Sequence, residues 1–194
     1  MSDDLAARFR QAAANMSSVA QSAYPASLSR AVELLFETFT AGGKLLVFGN
    51  GGSSADAQHF AAELVGRFEG QRRPLPAIAL TTNQALLTAW SNDYSFDDVF
   101  ARQIDALGVP GDVAFGISTS GTSTNVVKAL ERARARGLKT VGLTGSGGGA
   151  MTTLCDVLLA VPLTTTSQIQ EVHLVTYHAI CAAVDRRLAA ISSR

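Results

Sequence analysis

The stretch KLLVFGNGGSSADAQHFAAELVGRF, residues 44–68, decides the fold class. Lys44 to Gly49 is a nearly unbroken apolar run, the pattern of a strand covered on both faces of a parallel sheet. Asn50 to Ser54 is a polar, glycine-rich turn, and Ala55 to Phe68 follow with helical periodicity. The same order recurs downstream. Strands are predicted at 77–80, 112–117, 139–143 and 157–161. Helices are predicted at 84–91, 96–107 and 123–136, with a short one near 149–154 and a long last one over 168–190. Strand, loop and helix in repetition predict an α/β fold: a doubly wound, five-stranded parallel sheet flanked by helices.

Two helices precede the first strand. Residues 3–23 carry Leu5, Phe9, Ala13, Met16 and Ala20 at helical spacing, and Tyr24-Pro25 is expected to stop that helix. A second helix is expected from Ser27 to Thr40, with Leu28, Val32, Leu35, Phe36 and Phe39 on one face and Gly42-Gly43 at its end. The expectation is one domain over residues 1–194: an α/β core over 43–194 and a helical arm over 1–42 that packs between subunits.

Composition points the same way. Of 194 residues 47% are hydrophobic, enough for a sizeable core, and only 16% are charged. An average globular protein has roughly 25%, so part of this surface is expected to be covered by other subunits. Sixteen basic and sixteen acidic residues cancel, which leaves no basic footprint for nucleic acid. Cys155 and Cys181 stand in apolar surroundings without metal-ligand spacing and read as reduced core thiols. The start, MSDDLAARFRQ, lacks the features of a signal peptide, and no apolar run approaches the ~18 residues of a membrane span. A cytoplasmic protein without membrane partners is expected.

In an open parallel sheet ligands bind at the carboxyl ends of the strands, and four loops there stand out. Gly49-Asn50-Gly51-Gly52-Ser53-Ser54 offers glycines and a helix N-terminus to a ligand; a tight turn capped by Ser is the plainer reading. Ser118-Thr119-Ser120-Gly121-Thr122-Ser123 crowds hydroxyls at a helix N-terminus, more than capping needs, and reads as a neutral phosphate cradle. Gly145 to Ala150 matches the dinucleotide pattern GxGxxA, but it follows the fourth strand rather than the first, so a flexible turn is expected. Ser91-Asn92-Asp93-Tyr94 is a polar patch ending a helix, equally readable as a simple loop.

Among ionisable groups, His59 and Glu63 are four apart on the helix opened by the glycine loop and share a face. Such a pair is usually an ordinary helix pair. Gln170 and His178 lie eight apart on the last helix, and His173 shares that helix. His and Glu suit zinc, but spacing leaves open which of the two histidines faces a site.

GNGGSSADAQHFAAE (49–63), SNDY (91–94), STSGTS (118–123), TG…GG (144–148) and IQEVHLVTYH (169–178) resemble, as a set, the bacterial phosphoheptose isomerases of the sugar isomerase (SIS) fold. The likeness spans nearly the whole chain. It implies isomerisation of sedoheptulose 7-phosphate to D-glycero-D-manno-heptose 7-phosphate through an enediol, in a homotetramer with sites between subunits and one Zn2+ per subunit. It implies His59, Glu63, Gln170 and His178 as metal ligands, Glu63 as base and His178 as its acid partner, which selects His178 over His173. Asn50, Gly51, Gly52, Glu63, Asn92, Asp93 and Gln170 would contact the sugar, and Ser118, Thr119, Ser120 and Ser123 the phosphate. Two positions depart from the family's pattern: residues 162–168 lack the acidic residue often found before IQE, and Thr122 stands where Asn or Lys is common.

Three other readings compete. The replication-initiator-associating (DiaA-type) binding proteins resemble this chain in FAA…RFE…LPAIAL, but there the catalytic Glu and His are replaced. An isomerase or sensor of another phosphosugar is a second alternative, against which the IQE…H helix speaks. A nucleotide-binding module rests only on the GxGxxA match.

Overall fold

The computed structural model describes residues 2–192. Helices α1 (Ser2–Gln21) and α2 (Tyr24–Thr40) lead into β1 (Leu45–Gly49), α3 (Gly52–Val65), β2 (Ala77–Ala79) and α4 (Gln84–Asp93). A 3-10 turn at Phe96–Asp98 enters α5 (Val99–Leu107). Then come β3 (Val113–Ser118), α6 (Thr124–Ala135), β4 (Lys139–Thr144), a second 3-10 turn at Gly149–Thr153, β5 (Val157–Ala160) and α7 (Thr166–Ser192). The strands form one wholly parallel sheet in the order β2-β1-β3-β4-β5, as the sequence predicts.

Side chains along a strand point to alternate faces, and β1 divides accordingly. Leu45 and Val47, with Phe115 and Ile117 of β3, join the core formed by α2, α3 and α7. Leu46 and Phe48 join the opposite core, where Phe100 and Ile104 of α5 meet Val126 and Leu130 of α6. Full burial on both faces explains the unbroken apolar run at 45–48. At the amino end of the sheet the buried Asp112 ties β1 to β3: its carboxylate accepts from the Lys44 backbone N–H at 3.0 Å and from Lys44 Nζ at 2.6 Å.

The strand order reverses at β1. Its chain leaves toward β2 on one side, while β3 flanks it on the other. The loops after β1 and β3 therefore diverge and leave a crevice at the carboxyl edge. Those are the glycine loop and the hydroxyl loop.

The elements mostly keep their expected bounds, with one instructive difference. α2 begins at Tyr24 rather than Ser27, because Pro25 lies in its first turn, where a missing N–H costs nothing. Pro25 thus starts a helix as well as stopping the previous one. Among the described residues of α1 only Asn15 and Val19 are buried, while Leu5 and Phe9 of the apolar stripe stay exposed. Among the described residues no helix is long and apolar enough to cross a membrane.

One buried ion pair closes the layer holding α3 and α7. Arg72 Nε donates to Asp185 Oδ1 of α7 at 2.6 Å, and both side chains are almost fully buried. The same guanidinium donates to the carbonyls of Glu63 (2.7 Å) and Leu64 (2.8 Å), satisfying the end of α3. Removing one member of such a pair strands the other charge. Arg72→Leu is therefore expected to cost about 3–5 kcal/mol, read as a lower urea midpoint at unchanged slope.

Candidate active site

The glycine loop closes tightly around its backbone. Gly51 takes φ +56°, and a Cβ at Gly52 would collide with Gln170 Nε2 of α7. The capping position of α3 is Gly51, with no side-chain hydrogen bond, so the plainer reading of a Ser-capped turn does not hold. The loop is instead built for close approach of backbone to whatever it contacts.

The hydroxyl loop is organised by its own side chains. Ser118 Oγ lies 2.9 Å from Ser123 Oγ and 3.4 Å from Ser120 Oγ, and Thr122 Oγ1 donates to Ser120 Oγ at 3.0 Å. Ser123 occupies the capping position of α6 without capping it; its hydroxyl faces Ser118. The result is a cluster of neutral donors at a helix N-terminus, the arrangement that suits a phosphate. The 145–150 segment is more particular than the flexible turn expected of it. Gly147, Gly148 and Gly149 are all left-handed, and Met151 N–H donates to Gly121 O at 3.3 Å. A Cβ at Gly121 would run into Gly148 O. This segment buttresses the hydroxyl loop.

Sequence reasoning missed the link between the two loops. Asn50 and Asn125 exchange side-chain hydrogen bonds, Nδ2 to Oδ1, at 2.8 and 2.9 Å. Asn125 is buried in the first turn of α6; a polar residue just past the hydroxyl run is a weak signal that one sequence cannot separate from a helix surface.

Along α3 and α7 a second cluster forms. His59 Nε2 lies 3.0 Å from Glu63 Oε1. The rings of His59 and His178 meet edge to face at 5.1 Å, and Phe68 packs on His178 at 5.1 Å. One ligand atom from each of His59, Glu63 and His178 falls within 4.8 Å of the others. His178 Nε2 is buried and has no hydrogen-bond partner, which leaves it an acceptor or donor in want of one. Behind His59, its Nδ1 lies 3.0 Å from the Tyr177 hydroxyl, which donates to Asp56 Oδ1 at 3.4 Å. Burial raises the Asp56 carboxyl above its usual range, opposed by the Tyr177 bond and by His59. Burial and the adjacent Asp56 hold the Tyr177 hydroxyl protonated.

His59, Glu63 and His178 thus come together. Gln170 does not join them within one chain. It lies against Gly52, eight residues before His178, about 12 Å along the axis at 1.5 Å per residue. Asn92 and Asp93 lie at the exposed end of α4, where Asn92 Nδ2 donates to Asp93 Oδ1 at 2.9 Å. Among the described residues neither bonds to the other loops. Trp90, stacked between Tyr94 (4.2 Å) and Arg102 (4.7 Å), anchors that end of the helix.

The SIS domain family matches residues 8–145. Over 188 residues the chain is 50% identical to a phosphoheptose isomerase of Pelobacter propionicus, covering 97% of this chain and 99% of that one. It is 54% identical over 165 residues to a phosphoheptose isomerase of Crocosphaera subtropica, covering 85% and 84%. The structure is similar to that of phosphoheptose isomerase GmhA from Neisseria gonorrhoeae, with a TM-score of 0.89 at 42% identity, covering 95% and 98% of the two chains. The chain belongs to the phosphoheptose isomerases, within the SIS domain family.

In this member of the family the two α7 histidines have separate fates. His173 is fully buried, with Nε2 3.2 Å from Thr144 O, the carbonyl that begins the buttress segment. Burial lowers its pKa to about 4. Unfolded, a histidine titrates near 6.5, so below that pH the unfolded chain takes up the proton that the folded chain refuses. Stability from this group is present above about pH 6.5 and is lost as pH falls toward 4. The slope is at most about 1.4 kcal/mol per pH unit. His173→Gln is expected to flatten that slope in urea unfolding measured from pH 7 to 4.5. A second expectation concerns the loop: Gly121→Ala, forced out of φ +67° and into Gly148 O, should raise KM for phosphosugar at least tenfold.

Proposed function

We propose that this protein interconverts sedoheptulose 7-phosphate and D-glycero-D-manno-heptose 7-phosphate, with His59, Glu63 and His178 as its reacting centre. The observation that carries the proposal is that cluster: two imidazoles and a carboxylate with donor atoms within 4.8 Å, one of them a buried nitrogen lacking any partner. The relatives' shared name supports the substrate class.

The cluster also fits a zinc ion. Bonds of about 2.0–2.2 Å put tetrahedral donors about 3.4 Å apart, and the 3.0 Å His59–Glu63 spacing and the 4.8 Å limit bracket that. His59, Glu63 and His178 would hold the ion; Gln170 could join only from a second copy, since its own chain places it over Gly52. When bound, zinc supplies Lewis acidity that polarises the substrate carbonyl and stabilises negative charge on the adjacent oxygens.

Aldose–ketose isomerisation moves one proton between neighbouring carbons. Glu63 takes the proton from C1 of the ketose, His178 moves a proton from O1 to O2 across the enediol, and Glu63 returns the carbon proton to C2. Only Oε1 of Glu63 faces His59, so the other oxygen is available for the proton. Glu63 and His178 each serve a proton or a cation at a given moment, which requires exchangeable coordination. Ser118, Thr119, Ser120 and Ser123 bind the phosphate, and Asn50, Gly51, Gly52 and Gln170 contact the sugar, so that remote binding orients the reacting carbons. Asn92 and Asp93 reach sugar only where copies meet, and the exposed Leu5 and Phe9 of α1 belong to the packing arm of a homotetramer. A single-domain cytoplasmic enzyme of this kind supplies a heptose phosphate for biosynthesis. The intact Glu63–His178 pair favours it over the DiaA-type reading.

Incubation of the zinc-loaded protein with sedoheptulose 7-phosphate in D2O, followed by NMR, is expected to yield the aldose with deuterium at the exchanging carbon. No product and no exchange in a folded, zinc-loaded oligomer would overturn the proposal. Glu63→Gln should lose about 3 kcal/mol or more of transition-state stabilisation, a hundredfold or greater fall in kcat/KM. Turnover near that of the unsubstituted enzyme would remove Glu63 from its role.

A further inference from the structure

The side chains behind His59 belong to no role assigned so far. Asp56 precedes it by three residues on α3, so the two side chains share a face. Tyr177 reaches across from α7, buried and stacked on Phe60 with ring centroids 5.6 Å apart. The ring of His59 meets Tyr177 edge-on at 5.4 Å, with its Nδ1 3.0 Å from the hydroxyl; the hydroxyl donates onward to Asp56.

The hydrogen count gives this chain a direction. An ionised Asp56 only accepts, and a tyrosine hydroxyl has one hydrogen to give. With that hydrogen directed to Asp56, the Tyr177 oxygen must accept, and His59 Nδ1 must be the donor. His59 Nε2 then carries a lone pair, and it faces Glu63 Oε1 at 3.0 Å. In the neutral ring two lone pairs at that separation repel, so either a proton, which makes His59 an imidazolium paired with Glu63, or a metal cation belongs between them. The opposite tautomer, with Nε2–H donating to Glu63, would turn the Tyr177 hydrogen to Nδ1 and leave the half-buried Asp56 without this donor.

We propose that Tyr177 and Asp56 are positioning residues that fix the Nδ1–H tautomer and ring angle of His59, so that its Nε2 is held ready for a divalent cation. The inference rests on the zinc reading of His59, Glu63 and His178. Outer partners of a ligating histidine commonly set its tautomer and basicity, and their loss costs 10–100-fold in metal affinity. Tyr177→Phe removes only the hydroxyl and keeps the ring packed on Phe60.

The test is zinc affinity of the oligomeric protein, measured by competition with a chromophoric chelator. The proteins compared are the unsubstituted chain, Tyr177→Phe, Asp56→Ala, the double variant and His59→Ala; the Co2+ absorption spectrum is a second readout. Tyr177→Phe and Asp56→Ala are each expected to weaken zinc about 10–100-fold. The double variant should lie within about threefold of the weaker single one, because both substitutions break one chain. The Co2+ bands should shift in both single variants. Zinc affinity within about threefold of the unsubstituted protein in Tyr177→Phe would overturn the inference, whatever happens to the melting temperature; zinc loss in His59→Ala would then show that the metal reading itself survives. If the unsubstituted protein bound no zinc, or His59→Ala bound it equally well, both would fall. Should Tyr177→Phe not fold, Asp56→Ala and the milder Asp56→Asn, which keeps an acceptor oxygen, decide the matter: Asp56→Asn should retain more affinity than Asp56→Ala, and equality of both with the unsubstituted protein would overturn the proposal.

Discussion

A pair of amides holds the two halves of the site in register. Asn50 and Asn125 each give and take one hydrogen bond across the crevice between β1 and β3. At that point the strand order reverses and the chain would otherwise splay. Asn125 is buried and Asn50 partly so, and the Asn125 amide left alone would lose a partner that water does not readily replace. Because Asn50 opens the glycine loop and Asn125 lies just past the hydroxyl loop, neither loop can shift without breaking both bonds. The buttress of left-handed glycines at 147–149 presses on the same assembly from the far side. The glycine loop and the hydroxyl loop are therefore held together as one unit.

The His59–Glu63–His178 cluster is held by a different device. α3 and α7 lie side by side, and each supplies its groups at helical intervals: Gly52, His59 and Glu63 from one, Gln170 and His178 from the other. Arg72 pins the end of α3 by donating to the Glu63 and Leu64 carbonyls and by pairing with Asp185 on α7. The Glu63 carboxylate thus hangs from a backbone whose last turn is clamped to the neighbouring helix. Cys181, buried between these helices with its thiol pushed up by burial, packs and does not react.

Much of this was legible in the sequence, for definite physical reasons. Burial of both faces of β1 demands apolar side chains at 45–48, so the sheet announced itself. The hydroxyls around Gly121 before a helix exceed what capping needs, so the cluster at 118–123 stood out as well. What stayed hidden depends on pairs far apart in the chain. Nothing in the local pattern of Asn125 or Tyr177 reveals partners at Asn50 and Asp56. Spacing could not choose between His173 and His178, because both lie on inward parts of α7; burial against Thr144 O separates them. Of the four expected ligands, His59, Glu63 and His178 meet within one chain, while Gln170, eight residues and about 12 Å of helix before His178, lies with the glycine loop.

The six residues from Ser118 to Ser123 carry no ionised side chain. A dianion held by this loop would meet dipoles from these six residues, whose pull fades within a few ångströms, whereas a full positive charge would be felt over a Debye length of about 10 Å. Such a seat discriminates by shape and hydrogen-bond count rather than by charge alone. It also lets the ligand go once those short bonds part, with no counter-ion to leave behind. For an enzyme whose substrate and product bear the same phosphate on the same carbon, that favours rapid exchange over tight retention.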